Sequence, residues 1–395
     1  MHKNHSKIYQ ILIVLSGMLF HSCVEEIDIQ IDSSAQALVV ETSITNEYKN
    51  QTVRLSKSYG FEENGSSPET NATVYLEEGN EQIKFTETEP GVYTSAISFA
   101  AQANTPYKLF IQRSNGKKYE SITEEIKGVT SIDSLYVEKT LDYLGNESVS
   151  VFVDSYDATG NSVYYRYEYE ETYKIVAPYW TPFDLNVPSL QPKTIPKTYE
   201  QRECYGTNES LKIIQKETSN LTEDKVSKFE VLLLSKQDPK IRTRYSILVK
   251  QYVQTMNAFS YYQTLDKFSG SGNILSQNQP GFIQGNIIST DNPESDKFLG
   301  FFEVVSVSSA RVFFNYFDLF PDSTEPPYFV ECQTGAPDFA SAIEYIMQGK
   351  SKYVADNPNY PNPLNEVEGP YLIVDAPCGD CTKLGSNVKP DYWVD

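Results

Sequence analysis

The sequence predicts a mostly β protein, with an N-terminal immunoglobulin-like β-sandwich followed by a larger β-rich domain with two short helices. The chain of 395 residues contains 29 tyrosines and 20 phenylalanines but 4 methionines, a balance that favours strands over helix bundles. Short runs of alternating apolar and polar residues recur through the first third of the chain, separated by turn residues. The length is sufficient for one large core or two ordinary ones.

Region 37–126 has the strand density of a β-sandwich. Seven predicted strands fall within about ninety residues, which is typical of immunoglobulin-like folds. Asn115-Gly116 separates the last two strands and predicts a tight hairpin turn. The Cys-Trp-Cys core of an antibody domain is absent, so the prediction concerns the architecture alone. The seven strands begin at Ala37, Val53, Thr73, Gln82, Val92, Tyr107 and Lys118.

Region 127–395 is predicted to form the larger β-rich domain. A helix is predicted over 258–268, because its apolar residues lie on one face and Gly270 can end it. Asp338 can cap a second helix that runs to Met347, with Gly349 as its stop. We expect both apolar faces to pack into the core. Strands are predicted at 150–154, 164–169, 229–234, 245–249, 282–287, 298–314 and 371–374.

Charge and histidine content exclude several classes of function. Lys and Arg number 33 against 53 Asp and Glu, which gives a net charge of −20. Such a chain is unsuited to nucleic acid or anionic membranes, because phosphate contacts need clustered cations. The three histidines, His2, His5 and His21, lie in a segment that we expect to be removed. The mature chain then has no residue for Ser-His or Cys-His catalysis or for a His-liganded zinc.

Residues 1–22 are predicted to be a lipoprotein signal peptide. Lys3 and Lys7 precede a mostly apolar stretch, 8–20, that is too short to span a bilayer. Ser22 then stands directly before Cys23, an arrangement that resembles a bacterial lipobox. We therefore expect Cys23 to carry palmitate and other acyl chains at the mature N-terminus. An ordinary secretory peptide is the alternative. Cleavage removes two lysines, so the mature charge is 31 − 53 = −22.

An acidic linker, 23–36, follows the expected lipidation site. Its Glu25, Glu26 and Asp28 resemble the surface-export signal of Bacteroidota lipoproteins. The alternative is a merely solvated acidic segment. The export interpretation predicts a protein anchored in the outer membrane by its lipid and facing the cell exterior.

Four cysteines remain in the mature chain, and an even number in an exported protein favours two disulfides. Three connectivities are possible. Cys378-Gly379-Asp380-Cys381 also has the C-x-x-C spacing of a redox motif, but no βαβ context surrounds it. A zinc site is the other alternative, with all four cysteines as ligands. We predict structural disulfides, no metal and no cofactor. The candidates are Cys204, Cys332, Cys378 and Cys381.

A proline-rich segment, 176–198, is the predicted partner-binding site. It is long for a connection, and long ordered loops are often functional. Its Tyr179, Trp180 and Phe183 are aromatic residues of the kind that dominate interfaces. Trp180 covering the domain's own core is the alternative. With 53 acidic residues, a carboxylate-pair hydrolase stays open as a function, although no pair stands out.

Motifs along the mature chain resemble the domain of unknown function 4249, a family of Bacteroidota lipoproteins. The resemblance covers nearly all of the mature chain, although no single motif is highly specific. It rests on Cys23-Val24-Glu25-Glu26-Ile27-Asp28, Leu38-Val39-Val40-Glu41, Pro90-Gly91-Val92-Tyr93, Tyr107-Lys108-Leu109-Phe110-Ile111, Arg244-Tyr245-Ser246-Ile247-Leu248-Val249, the helix near 258–262, Gly285-Asn286-Ile287, Leu299-Gly300-Phe301-Phe302, Cys378-Gly379-Asp380-Cys381 and Lys389-Pro390-Asp391-Tyr392-Trp393.

The resemblance implies a location and a class of partner. Members are typically encoded beside TonB-dependent outer-membrane receptors, so the family implies a non-enzymatic accessory subunit of an outer-membrane β-barrel. The barrel partner is either a receptor of this type or biogenesis machinery. The family supplies no catalytic residues to transfer. A free-standing adhesin that binds glycans or surfaces is the main alternative, and a hydrolase is the next.

Overall fold

A computed structural model of the chain describes residues 37–58, 66–187, 192–270, 283, 285–291, 298–361 and 368–395. The protein is mostly β, as the sequence predicts. The predicted signal peptide and acidic linker, with Cys23, Glu25, Glu26 and Asp28, lie outside the described residues. No helix in the described ranges is long and apolar enough to cross a membrane.

Strands make up most of the regular structure of the described chain. The first eight are β1 (Leu38–Thr45), β2 (Thr52–Lys57), β3 (Ser67–Pro68), β4 (Thr73–Glu78), β5 (Glu81–Glu89), β6 (Val92–Ser95), β7 (Tyr107–Gln112) and β8 (Lys118–Ser121). The next nine are β9 (Ser134–Leu141), β10 (Glu147–Asp157), β11 (Tyr164–Val176), β12 (Phe183–Leu185), β13 (Thr194–Pro196), β14 (Glu203–Glu209), β15 (Ile214–Glu217), β16 (Asp224–Ser235) and β17 (Arg244–Val253).

The remaining elements alternate between helices and strands. They are α1 (Met256–Gly270), β18 (Ile287–Ser289), β19 (Phe298–Asn315), α2 (Tyr316–Leu319), α3 (Phe339–Met347), β20 (Ser351–Asp356), β21 (Tyr371–Asp375) and α4 (Ala376–Gly379). Short 3-10 turns occupy Pro239–Ile241 and Cys381–Lys383.

One sheet joins the N-terminal and C-terminal strands. Its order is β14-β11-β17-β19-β1-β2-β6-β5-β4-β7-β8-β18, with β15 added on β11 and β3 on β2. The remaining described strands form the smaller sheets β16-β10-β9, β12-β13 and β20-β21. Because β1 belongs to the same sheet as β11 and β17, a separate N-terminal immunoglobulin-like sandwich is not confirmed. The boundary at residue 126 stays a prediction.

Strand β19 makes this junction possible because it is long enough to serve two neighbours. Its first part, 298–305, pairs in parallel with β1, and its second part, 306–315, pairs antiparallel with β17. Its side chains also enter three apolar clusters: Phe302 packs among the N-terminal strands, Phe314 among β10, β11 and β17, and Phe301 against α1. Fully burying such a side chain contributes about 1.5–3 kcal/mol, so β19 joins the cores energetically as well.

The local signals in the sequence are largely confirmed. Gly116 adopts a φ of +88° in the turn between β7 and β8, where a positive φ favours glycine. Helix α1 covers the predicted stripe and ends at Gly270. The Asp338 side chain accepts a hydrogen bond from the Ser341 backbone N–H at 3.1 Å, and so caps α3.

The expected core packing of α3 is only partly correct. Ala342 is buried, but Phe339 is 45% exposed and Met347 is 64% exposed. Strands β20 and β21 form a small sheet beside this helix, and they cover one edge of it rather than its whole apolar face. The spacing of the apolar residues therefore identifies the apolar face of α3, but it does not predict how much of that face other elements bury.

Candidate functional site

Two adjoining depressions form an open groove to which β1, β2, β11 and β17 all contribute lining residues. One has a volume of about 550 Å³ and the other about 390 Å³. They share five lining residues and are called here the groove. The shared residues are Glu41, Thr42, Ser43, Glu168 and Ser210.

The polar side chains of the groove lie on one face because successive side chains of a strand point to opposite faces. On β1, Leu38 and Val40 are buried in the core, so Glu41 and Ser43 point to the opposite face. On β11, Glu168 also lines the groove, two residues after Arg166 and therefore on the same face of the strand. The pleats of β1 and β11, which are separated in the sheet order by β17 and β19, thus place acceptors and donors along one concave surface.

A buried ion pair forms the floor of the groove. The Arg166 Nη2 atom lies 2.7 Å from the Glu303 Oε1 atom, and the two side chains are 7% and 1% exposed. Arg166 also pairs with Glu168. Its guanidinium lies over the rings of Tyr252, at 4.3 Å, and Tyr262, at 4.9 Å. Such stacking holds the planar cation in one orientation.

Glu303 ties several elements to the same point. Its Oε1 atom accepts a hydrogen bond from the Ser43 Oγ of β1 at 2.6 Å, and its Oε2 atom accepts one from the Gln254 Nε2 at 2.8 Å. The Tyr262 hydroxyl of α1 lies 3.5 Å from Oε1. With Arg166 on β11, the carboxylate of Glu303 on β19 therefore connects β1, β11, α1 and the residue that follows β17.

Arg166 and the two tyrosines beside it keep one protonation state at ordinary pH. Burial disfavours the charged Arg166, but attraction by the Glu303 carboxylate holds its pKa above the usual value. Burial and then the charge of Glu303 raise the pKa of Tyr262. Burial and then the nearby Glu168 raise the pKa of Tyr252. The arginine is therefore charged and both tyrosines are neutral, which suits a fixed binding surface.

A titratable group lies close to this floor. Burial raises the pKa of Glu124 to about 7, the charge of Glu303 adds to the shift, and a hydrogen bond from the Asn286 Nδ2 at 3.1 Å opposes it. Asn286 also bonds the Phe302 backbone in both directions, at 2.7 and 2.8 Å. Glu124 therefore titrates near neutrality where β18 meets β19.

The family comparison covers the whole of this site. The family model described as Domain of unknown function (DUF4249) matches residues 24–311. The chain belongs to the DUF4249 family. The matched range includes Arg166, Glu303 and every lining residue of the groove. It stops before Cys332, so three of the four paired cysteines of this DUF4249 protein lie beyond the match.

Other comparisons add little to the DUF4249 assignment. No curated protein matches this chain. Among solved structures, it is similar to the BSP domain of a biofilm associated protein, at 8% identity and a TM-score of 0.13, over 70% of this chain. The chain spans 59% of the length of that structure.

The DUF4249 protein forms the two predicted disulfides. Cys204 is bonded to Cys381, and Cys332 is bonded to Cys378. The two cysteines of the C-x-x-C motif therefore have different partners, and neither is left as a thiol for a redox or zinc site. Within the described ranges, no group of three or more His, Cys, Asp or Glu residues could hold a metal ion.

The residue between the two disulfides is also structural. Asp380 is 2% exposed, and its Oδ2 atom accepts from the Gln201 Nε2 at 2.8 Å and pairs with the Lys352 Nζ at 3.0 Å. Burial opposes its ionisation, but hydrogen bonds from Thr382 and Lys352 hold its pKa below the usual value. The motif is thus a charged and cross-linked anchor for the C-terminal region.

The three aromatic residues predicted to bind a partner occupy different environments. Trp180 is half-buried and packs against the second apolar cluster, with the Lys197 Nζ atom 5.7 Å from its ring. The backbone N–H of Tyr179 donates to the Cys378 carbonyl at 2.9 Å. Phe183 is 46% exposed on β12, which pairs with β13. The packing of Trp180 favours a role as core cover, and Phe183 is the aromatic side chain accessible to a partner.

The Asp157 carboxylate closes the turn that follows β10. Asp157 accepts hydrogen bonds from the backbone N–H groups of Thr159, at 2.8 Å, and Asn161, at 3.1 Å. Its carboxylate is thus committed to closing its own turn.

Sequence reasoning missed Arg166 and Glu303, although each carries a signal. Glu303 is a single charge within the apolar run 301–305, and Arg166 follows two tyrosines and precedes a third. A lone charge inside a buried strand needs a partner of opposite charge. The pattern could therefore have indicated a buried ion pair without naming the two partners.

Proposed function

We propose that this DUF4249 protein is a lipid-anchored, surface-exposed outer-membrane lipoprotein and a non-enzymatic accessory subunit of a β-barrel complex, such as a TonB-dependent receptor. The anchoring rests on the lipobox-like sequence that ends at Cys23. The surface location rests on Glu25, Glu26 and Asp28. Several acyl chains on one cysteine provide stable attachment where a single chain provides only marginal binding.

The buried Arg166–Glu303 pair beneath the groove is the observation that carries the binding role. It fixes a charged Arg166 between two neutral tyrosines, Tyr252 and Tyr262. Glu124, with its pKa near 7, does not line the groove. Above the buried pair, Glu168 is paired with Arg166, and the Glu170 Oε1 atom lies 3.0 Å from the Arg311 Nη2 atom. A general acid or base must change its protonation during turnover, whereas carboxylates held in ion pairs are suited to recognition.

The charge of the chain supports docking on a protein rather than on lipid. The mature net charge of −22 opposes close approach to anionic headgroups. Residues 24–37 can extend to at most roughly 50 Å, which is enough for the folded body to stand clear of the headgroup layer. The anchor keeps the body near a barrel, and contact with that barrel then depends on the protein surface.

Native pull-down tests this proposal. The full-length protein, tagged at its C-terminus, is solubilised from its own outer membranes in mild detergent and purified, and the bound proteins are identified by mass spectrometry. We expect an outer-membrane β-barrel in stoichiometric amount. Purification of the lipoprotein alone, from membranes in which candidate barrels stay intact, favours a free-standing adhesin and contradicts the accessory role.

A further inference from the structure

We propose that the groove binds a neutral, hydroxyl-rich ligand, namely a segment of an oligosaccharide. This inference deepens the proposed function, since it names the class of cargo that an accessory subunit at the cell surface would hold. It relies on that function only for the location of the groove on an exported protein.

The balance of charges in the groove is the first argument. Its charged lining consists of four carboxylates and four cations, so no net charge selects a polyanion or a polycation. Each sugar hydroxyl can donate and accept at once, and a surface of intermixed acceptors and donors matches that chemistry. The carboxylates are Glu41, Glu168, Glu170 and Glu209, and the cations are Arg54, Arg166, Lys212 and Lys250.

The distribution of apolar surface is the second argument. The smaller depression is lined by the aromatic Tyr261, Tyr262 and Phe301, together with Leu265 and Leu299. The larger depression, with which it is continuous, is mostly polar. A pyranose ring presents apolar C–H groups on its faces and hydroxyls around its edge. Successive rings along the groove can therefore pack C–H groups against the apolar residues of the smaller depression and hydrogen-bond to the polar residues of the larger one.

An unpartnered donor in the floor is the third argument. The two Nη atoms of Arg166 bond Glu168 and Glu303, but its Nε atom has no hydrogen-bond partner among the described residues, although Arg166 is 6% exposed. A buried donor without an acceptor is costly. The Nε atom is itself buried, so a ligand oxygen or a water reaches it only when the side chains that cover it shift.

Calorimetry on the mature full-length chain tests the proposal with defined probes. The probes are neutral hexasaccharides of β-1,4-glucose, α-1,4-glucose and β-1,4-mannose, together with hexalysine and hexaglutamate as charged controls. The variant Glu41→Ala/Glu209→Ala removes two exposed acceptors from the groove, and Glu81→Ala/Glu89→Ala removes two exposed carboxylates from β5 as the matched control.

We expect at least one neutral hexasaccharide to bind, and the groove variant to bind it at least about tenfold more weakly, because a hydrogen bond to a charged group contributes about 1.5–3 kcal/mol. The β5 control should bind like the wild type. Binding of either charged peptide in preference to every sugar overturns the proposal, as does the failure of all three sugars or equal binding by the groove variant. Pull-down of the barrel is a separate measurement, so the accessory role is tested independently of sugar binding.

Discussion

Ser43 and Glu303 face each other across the parallel pair of β1 and β19, and the Ser43 Oγ atom donates to the Glu303 Oε1 atom at 2.6 Å. The two residues are 260 positions apart in the sequence. The contact closes the N-terminal strands onto the C-terminal half of the molecule at the edge of the groove. A substitution at Glu303 can therefore measure how much this junction contributes to the stability of the protein.

Glu303→Gln should destabilise the protein strongly. The substitution removes the buried counter-charge of the Arg166 guanidinium and leaves only the half-exposed Glu168 to pair with it. Breaking a buried pair typically costs about 3–5 kcal/mol. Urea unfolding followed by tryptophan fluorescence measures the loss. Glu138→Gln is the matched control, because Glu138 and Lys228 form an exposed pair at 2.5 Å, with side chains 42% and 57% exposed. Exposed pairs contribute about 0–1 kcal/mol, so equal losses in the two variants would contradict the assigned role of the floor.

Glu124→Gln should alter how stability depends on pH. The folded protein holds the Glu124 proton more tightly than the unfolded chain, since burial raises its pKa from 4.5 to about 7. Its contribution to the free energy of unfolding is therefore complete below pH 4.5 and is lost as the pH rises to about 7. Relative to wild type, the variant should gain stability across that interval, by on the order of 1–3 kcal/mol.

Denaturant titrations from pH 4.5 to 8 measure this difference. Glu125→Gln is the control, because Glu125 is the neighbouring residue and its side chain is 40% exposed beside Lys127. A variant-minus-wild-type difference that stays constant with pH would show that Glu124 does not titrate in this range.

The two disulfides should contribute unequally to stability. Cys204–Cys381 closes a separation of 177 residues and Cys332–Cys378 one of 46. If the main effect is on the entropy of the unfolded chain, removing the longer link should cost about 1 kcal/mol more than removing the shorter one, within a usual range of 2–4 kcal/mol. Thermal unfolding of Cys204→Ser/Cys381→Ser and Cys332→Ser/Cys378→Ser compares them, and a larger loss for the shorter link would contradict the entropic account.

Trp180→Ala and Phe183→Ala should separate stability from partner binding. Trp180 packs against the core, so its truncation should lower the melting temperature. Phe183 is 46% exposed, so its truncation should leave the melting temperature near wild type but reduce recovery of the barrel if the β12–β13 sheet is the interface. Melting temperature and co-purification yield are measured on both variants, and full recovery with Phe183→Ala would exclude that interface.

Changes near the mature N-terminus should separate anchoring from export. Cys23→Ala should release the protein from membranes, because no acyl chain can then be attached. Replacing Glu25, Glu26 and Asp28 with alanine should keep the protein lipidated but hold it on the periplasmic side. Protease digestion of intact cells reports the side. Equal digestion of wild type and the triple variant would remove the role of the acidic residues.

Most strands could be predicted because their signal is local. Alternation within 73–76 or 107–111 specifies which side chains face a core, and a glycine or Asn-Gly pair specifies where the chain turns. The three-residue strands β12 and β13 escaped prediction within 176–198, since three residues are too few to show a period. The extent to which other elements bury the apolar face of α3 was also predicted wrongly. The spacing of apolar residues identifies the face of a helix, but it does not show which elements pack against that face.

The site could not be predicted because its contacts are distant in sequence. Arg166 and Glu303 are 137 residues apart, and nothing near either residue specifies the other. The parallel pairing of β1 with β19 likewise depends on how the whole sheet is arranged. The cysteine count indicated two disulfides correctly, but the connectivity required the fold.

The parallel pairing of β1 with β19 also has a mechanical consequence. A chain held at its N-terminus by a lipid transmits tension first into β1, which is matched residue for residue to β19 over eight register positions and to β2 over five. When the opposing load enters at the C-terminal end of β19, tension acts along both strands and shears all of their hydrogen bonds together. If the proposed lipid anchor is correct, this first strand would resist pulling far better than a terminal hairpin that opens one bond at a time.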